Sequence, residues 1–373
     1  MANLNIKTMF KISVLSLILI FCISGKITIA QDRTIVSEKD TITYRAQVWV
    51  EKEDLARYGG EEIFKKNLEK MFAQTTLFWN ESSNKFNYYF RYVPAGLKIY
   101  DNNSNKDNYD KHIKDASGIL DTEKYDFVVF FALNAKNNGM WCSGGGKSGQ
   151  ALVACYKTLE EQKKNGDIFS KVPPVQGVYS DLGHEFGHVR GATDMYQYII
   201  KAKDNSVSLV DLVPPGCNMG TAFGAWSDYC SALFNYTAHH KQLNKDLTKN
   251  VFPDKLRIKV LVKGKTEKNV SVKFYGTRAG GKKNNRDVYP KPFRTFSTDK
   301  VGYVEIDNVY KLYHPDHDDI GIPPKDEFPY WYWFSFVVEA EYNGQKKYVW
   351  IPDWQTQITK LKGGNIHEAV IEF

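Results

Sequence analysis

Two histidines four residues apart, with a glutamate beside the first, stand in the stretch Leu182-Gly183-His184-Glu185-Phe186-Gly187-His188-Val189-Arg190-Gly191-Ala192-Thr193-Asp194. On a helix that spacing projects both imidazoles from one face, about 6 Å apart along the axis, close enough to share one tetrahedral ion. Glu185 lies next to the first ligand but off the metal axis, where its carboxylate can hold a water on the ion's open position. Gly191 lets the chain turn through positive φ, and such a turn can swing Asp194 back to the ion. The set points to a Zn²⁺ centre with His184, His188 and Asp194 as ligands and Glu185 as general base. With 8 His and 43 acidic residues in 373, a chance His-acid-x-x-His turns up in roughly two of a hundred such chains, and the fixed Gly and Asp lower that more than a hundredfold.

The pattern His-Glu-x-x-His-x-x-Gly-x-x-Asp resembles that of the metzincin metallopeptidases, in the variant where Asp replaces a third His. The resemblance implies a methionine-bearing turn beneath the metal. Met219, in Pro214-Pro215-Gly216-Cys217-Asn218-Met219-Gly220, matches it; Met195 is too close to Asp194 to fold underneath. The resemblance also implies a tyrosine beyond that turn able to touch the metal or an oxyanion, for which Tyr229 and Tyr236 are the candidates. A further implication is an edge strand ahead of the zinc helix that pairs with extended substrate, placed at residues 151–156. His239 and His240 are rivals for the third ligand position, and the completed glycine-then-acid spacing favours Asp194. These motifs and the element order cover roughly the first 250 residues; nothing in the resemblance speaks to the remainder.

The elements that must hold these residues follow from periodicity. Residues 41–50 alternate and read as a strand, and 61–79 carry apolar residues at three- and four-residue spacing, an amphipathic helix of about five turns. Residues 86–93 form a Tyr/Phe-rich strand and 102–107 a polar loop. Residues 125–133 are apolar on both faces, as expected of a central buried strand. Gly144-Gly145-Gly146-Lys147-Ser148 lacks the earlier glycine of a phosphate loop, since position 141 is Trp, and reads as a hairpin tip. The zinc helix is expected to begin near 178–181, capped by Ser180 or Asp181, and to end at Gly191. A further helix carries Trp226, Tyr229, Cys230, Leu233 and Phe234.

Near residue 250 the helical pattern gives way to short strands at 256–262, 270–275, 301–306, 332–342, 347–351 and 367–373. The expected architecture is an α/β metzincin-like catalytic domain, a twisted sheet plus active-site helix, over residues 31–250, followed by an immunoglobulin-like β-sandwich over 251–373. The run Tyr330-Trp331-Tyr332-Trp333-Phe334 offers aromatics on both faces of one strand, a candidate platform for a carbohydrate or cell-surface ligand. His314-Pro315-Asp316-His317-Asp318-Asp319 reads as a solvated loop before it reads as a second cation site.

Composition sets the setting. Residues 1–30 hold Lys7, Lys11 and Lys26, no acids and an apolar run over 12–23, the pattern of a secretory signal peptide and too short to span a bilayer. Without those lysines, 47 basic residues face 43 acidic ones, and no dense Lys/Arg run would track phosphates, so no nucleic-acid partner is expected. The mature chain keeps Cys142, Cys155, Cys217 and Cys230. Export and an even count favour two disulfides, and the sequence-local pairs Cys142–Cys155 and Cys217–Cys230 are expected among three connectivities.

The functional expectation is a secreted, monomeric zinc endopeptidase acting on peptide or protein substrates, with Glu185 taking a proton from the attacking water. A zinc amidase acting on cell-wall peptides would use the same residues. A non-catalytic zinc-containing binding protein would be freest to lose Glu185, which is present.

Overall fold

Alternation in the first strand sets the layer that carries the site. The computed structural model describes residues 39–57, 59–101, 120–133, 139–146, 149–156, 178–221, 224–241, 245–280, 285–316 and 332–373. The expected signal peptide and the 102–107 loop lie outside them. In β1 (Thr41–Glu51) Tyr44, Ala46, Val48 and Val50 are fully buried, the period of two that a sheet face requires. β2 (Tyr89–Tyr100), β3 (Phe127–Leu133), β4 (Gly139–Gly146) and β5 (Gly149–Tyr156) join it in the order β2-β1-β3-β5-β4. All neighbours run parallel except β4, which is antiparallel to β5. Every residue from Phe127 to Phe131 is buried, which is why β3 takes the centre.

Three expectations about this sheet change. Residues 151–156 belong to β5, inside the sheet, and the edge strand is β4. Of the expected hairpin tip at 144–148, Gly144–Gly146 belong to β4, whose Gly146 pairs with Gly149 of β5; residues 147–148 lie outside the described residues. In the β4/β5 register Cys142 stands opposite Leu152 and Cys155 opposite Gly139. Three rungs of about 3.4 Å separate the two cysteines, beyond the roughly 7 Å between α-carbons that a disulfide spans. The expected Cys142–Cys155 bond does not fit this hairpin; the two side chains themselves lie outside the described residues.

Helix α1 (Lys52–Arg57) leads into α2 (Glu61–Glu81), which buries Phe64, Leu68, Met71, Phe72, Thr75 and Trp79. Ile63, one of the apolar residues within 61–79, is half exposed because the register turns it outward. On α3 (Val178–Val189) Leu182, Phe186 and Val189 repeat at four and three residues and are buried, with Phe186 stacked on Tyr92 at 4.1 Å. That packing fixes which face of α3 holds His184 and His188. The expected caps Ser180 and Asp181 fall outside the described side chains.

Past α4 (Asp228–Thr237) and α5 (Lys245–Asn250) the chain turns to strands: β6 (Lys255–Val262), β7 (Lys265–Thr266), β8 (Ser271–Gly280), β9 (Asn285–Val288), β10 (Arg294–Ser297), β11 (Tyr303–Asp307), β12 (Ser335–Tyr342), β13 (Gln345–Pro352) and β14 (Ile366–Glu372). One sheet runs β10-β8-β12-β13 with β9 on β8, the other β11-β6-β14 with β7 on β6. Two short helices interrupt them, α6 (Val309–Tyr313) and α7 (Asp353–Leu361). β14 returns parallel to β6 after α7, so this part is neither all-β nor the antiparallel immunoglobulin-like sandwich expected. Lys39–Phe373 is one compact unit, and a single apolar cluster runs through both parts. Among the described residues no helix is long and apolar enough to cross a membrane.

Candidate metal centre

The end of α3 is built by glycine. Gly191 has φ 88°. The Ala192 N–H donates to Gly187 O at 3.0 Å and the Gly191 N–H to His188 O at 2.9 Å. This pair of bonds closes a Schellman turn, which a β-carbon at 191 would strain. The turn reverses the chain over three residues and delivers Asp194 to the face of α3 that carries both histidines.

There Asp194 Oδ1 lies 3.1 Å from His184 Nε2 and 3.1 Å from His188 Nε2. Each imidazole is held from behind by a backbone carbonyl: His184 Nδ1 by Asn218 O at 2.8 Å, and His188 Nδ1 by Ala192 O at 2.8 Å. A carbonyl only accepts, so each Nδ1 carries the hydrogen and a neutral ring turns a lone pair from Nε2 toward Asp194. Three acceptor atoms therefore converge, and a cation or an added proton must sit among them. Atoms bound to zinc at about 2.0–2.1 Å in a tetrahedron stand roughly 3.3 Å apart, close to the spacing found.

Electrostatics lead to the same place. Burial works against charge on His184, but the hydrogen bond to Asp194, the Glu185 charge and the Asn218 carbonyl raise its pKa to about 9. Burial likewise opposes ionisation of Asp194, yet His184, His188 and Tyr196 hold its carboxyl well below the usual range. Without metal, a proton fills the gap.

Glu185 is 5 % exposed. Its carboxylate and the two histidines offer ligand atoms all within 4.8 Å of one another, so it too is within reach of an ion. Asp194 Oδ1 stands at the spacing of a shared tetrahedral ion from both nitrogens.

Met219 packs against the helix that carries both histidines. It is fully buried, its carbonyl accepts from Met195 N at 2.8 Å, and its sulfur lies against Gly187 between the two histidines. Asn218 shapes the same turn: its Oδ1 accepts from Gly224 N at 2.6 Å and Ala225 N at 3.1 Å while its carbonyl holds His184. Behind the turn Cys217 and Cys230 are buried free thiols with sulfurs 3.2 Å apart, in contact without the expected bond.

The remaining candidates are elsewhere. His239 is exposed and packs edge-on against Tyr88, and His240, also exposed, has its ring 6.2 Å from that of Tyr236. Tyr229 is buried with its hydroxyl donating to Gln357, and Tyr236 is 41 % exposed. Neither tyrosine reaches the centre. The tyrosine that does is Tyr196, whose hydroxyl donates to Asp194 Oδ2 at 2.6 Å; no periodicity marks it, and only its place two residues beyond Asp194 could have singled it out. His314 is stacked between Tyr310 and Tyr332, and burial lowers its pKa to about 4, a packed ring and not a cation ligand. Trp333 and Phe334 are buried, so they display no platform; Tyr330 and Trp331 lie outside the described residues.

No protein-family model and no curated protein matches the chain. Among solved structures, one titled "Structure of a chaperone-substrate complex" is similar at TM-score 0.30 and 12% identity, over 54% of this chain and 35% of that one. A likeness of that size assigns neither fold nor function.

Proposed function

We propose that this chain is an exported zinc-dependent endopeptidase of metzincin type, in which His184, His188 and Asp194 hold the metal and Glu185 is the general base. The observation that carries the reading is the convergence of three acceptor atoms, each histidine pre-set by a carbonyl on its far nitrogen. The Schellman turn at Gly191, the Met219 contact with Gly187 and the antiparallel edge strand support the same kinship. Zinc in such a site polarises a substrate carbonyl and brings the pKa of bound water toward about 7. The chain's own part is then proton movement and orientation. Glu185, shielded from bulk water, accepts the proton of the attacking water and returns it to the departing amine nitrogen. Tyr196 occupies Asp194 Oδ2, which leaves Oδ1 to face the histidines.

The test is metal analysis of the purified protein together with cleavage of an unfolded protein substrate, with and without a chelator. About one zinc per chain and chelator-sensitive cleavage are expected. A protein that holds zinc but cuts no peptide of any sequence would instead be a binding protein or an amidase.

A further inference from the structure

Arg286 reaches the metal centre from the strand-rich part of the chain. It lies on β9, and its guanidinium stands 5.1 Å from the ring centroid of Tyr196 while Nη1 donates to Tyr196 O at 3.0 Å. The same ring is fixed on other sides: a β-carbon at Gly220 would come within 2.4 Å of it, and its hydroxyl is bonded to Asp194. The guanidinium is thus immobilised one tyrosine side chain from the proposed zinc ligand, and it keeps partial exposure.

Among the described residues it has no acidic partner. Arg278, on the neighbouring strand, is matched by Asp287, with Nε donating to Oδ1 at 2.7 Å and Nη2 to Oδ2 at 2.5 Å. Arg257 is paired with Glu305 and Arg45 with Asp126. Arg286 spends Nη1 on a backbone carbonyl, and its Nε/Nη2 edge meets no carboxylate among the described residues. The sequence between Gly280 and Arg286, Gly-Lys-Lys-Asn-Asn, contains none. An arginine held by stacking and one hydrogen bond, with its planar two-donor edge unfilled, is pre-organised for a bidentate carboxylate.

We infer that Arg286 is a specificity residue that anchors a carboxylate of the substrate beside Tyr196. The inference rests on the peptidase reading and narrows its substrate class to peptides bearing an acidic side chain, or a free terminal carboxyl, near the scissile bond. A charge-assisted fork of this kind favours the carboxylate over its amide by roughly 10- to 100-fold.

The experiment uses the full-length protein and blocked peptides in which each position in turn carries Glu or Gln, with a second set differing only in a free or amidated carboxyl terminus. Dissociation constants come from calorimetry and kcat/KM from cleavage. Wild type should prefer Glu over Gln at one position if the anchor takes a side chain, or the free over the amidated terminus if it takes the chain end. Arg286→Met, which keeps the stem over Tyr196, should bring that ratio to about one, and Arg286→Lys should leave an intermediate ratio. No preference in wild type, or a preference unchanged in Arg286→Met, overturns the inference. Preferential binding without cleavage keeps it and removes the peptidase reading; cleavage without preference does the reverse.

Discussion

Gly187 and Met219 meet so closely that no side chain fits between them: a β-carbon at 187 would lie 2.4 Å from the Met219 sulfur and 3.2 Å from its methyl. The Met219 contact therefore needs a bare backbone on the helix, at the residue just before His188. Methionine can move its end group, but here it is fully buried and Trp226 lies behind the same position.

Gly187→Ala should consequently shift Met219 and lift the helix. Overpacking of this kind costs about 1–3 kcal/mol, so a lowered melting temperature and weaker zinc retention are expected together. An alanine variant with unchanged melting and unchanged zinc would mean that Met219 does not brace α3.

The ligand assignment separates two sets of histidines. His188→Ala removes an atom 3.1 Å from Asp194 Oδ1, and its zinc affinity should fall by more than the roughly 10- to 100-fold that changes behind the ligands produce. Asp194→Ala should behave alike. The double change His239→Ala, His240→Ala should leave zinc in place, since both rings are exposed and packed on tyrosines. Zinc lost from the double variant and kept by Asp194→Ala would transfer the third position to the later helix.

Much of this was legible beforehand because the signals are local. Helix spacing placed His184 and His188 on one face, and a glycine with a fixed offset sufficed for Asp194, since a Schellman turn needs only the chain that makes it. The central position of residues 127–131 followed from their unbroken apolarity. What the sequence hid depends on distant partners. Helix α7 spans only nine residues, and its apolar Trp354, Ile358 and Leu361 at helical spacing are only partly buried, while its buried positions are the polar Asp353, Thr356 and Gln357, two of which meet tyrosines from the other part of the chain. Tyr196 and Arg286 come within reach of one another across ninety residues, with no periodicity in either segment to mark them. The assignment of the edge strand missed by one because glycines that read as a turn are accommodated in β4.

Buried acid in α7 makes stability pH-dependent. Burial raises the Asp353 carboxyl from 3.8 to about 7, against the hydrogen bonds it accepts from Tyr198 and Trp354 N. Between those values the folded chain holds a proton that the unfolded chain has released, so the stabilising contribution is complete below about 4 and is lost as pH rises through about 7. Its ceiling is ~4 kcal/mol, three units at about 1.4 kcal/mol each. Neighbouring Tyr198, Tyr229 and Tyr313 are raised well above 10 by burial and stay neutral throughout. Asp353→Asn should flatten the fall in melting temperature between pH 5 and 8 relative to wild type; parallel curves for the two proteins would refute the buried, protonated carboxyl.

General-base chemistry has its own variant. Glu185→Gln keeps the size of a side chain that is 5 % exposed and leaves the three ligand atoms untouched. Zinc content should be unchanged while turnover on peptides falls about 10²–10⁴-fold, the usual worth of a positioned proton acceptor. Full activity in this variant would remove Glu185 from the reaction.

Truncation asks whether the strand-rich part is an appendage. Reading the sequence alone, a chain ending at Asn250 would be a complete catalytic domain. In the structure, Tyr198 donates to Asp353 at 2.5 Å and Tyr229 to Gln357 at 2.8 Å, both tyrosines being at most 3 % exposed. Ile200 and Leu212, from the segment between Asp194 and Met219, pack with Tyr275, Val288 and Val337. Cutting at residue 250 would expose these aromatic and aliphatic faces on the loop that carries Asp194 toward Met219, and would strand two buried hydroxyls without partners. Each orphaned polar group costs about 1–3 kcal/mol where it stays buried, and the total stability of a domain is only about 5–15 kcal/mol. The fragment 39–250 should therefore show no cooperative thermal transition and hold no zinc, whereas full-length protein shows one transition for both parts. A soluble, zinc-loaded fragment that melts cooperatively would establish the strand-rich part as a separable domain.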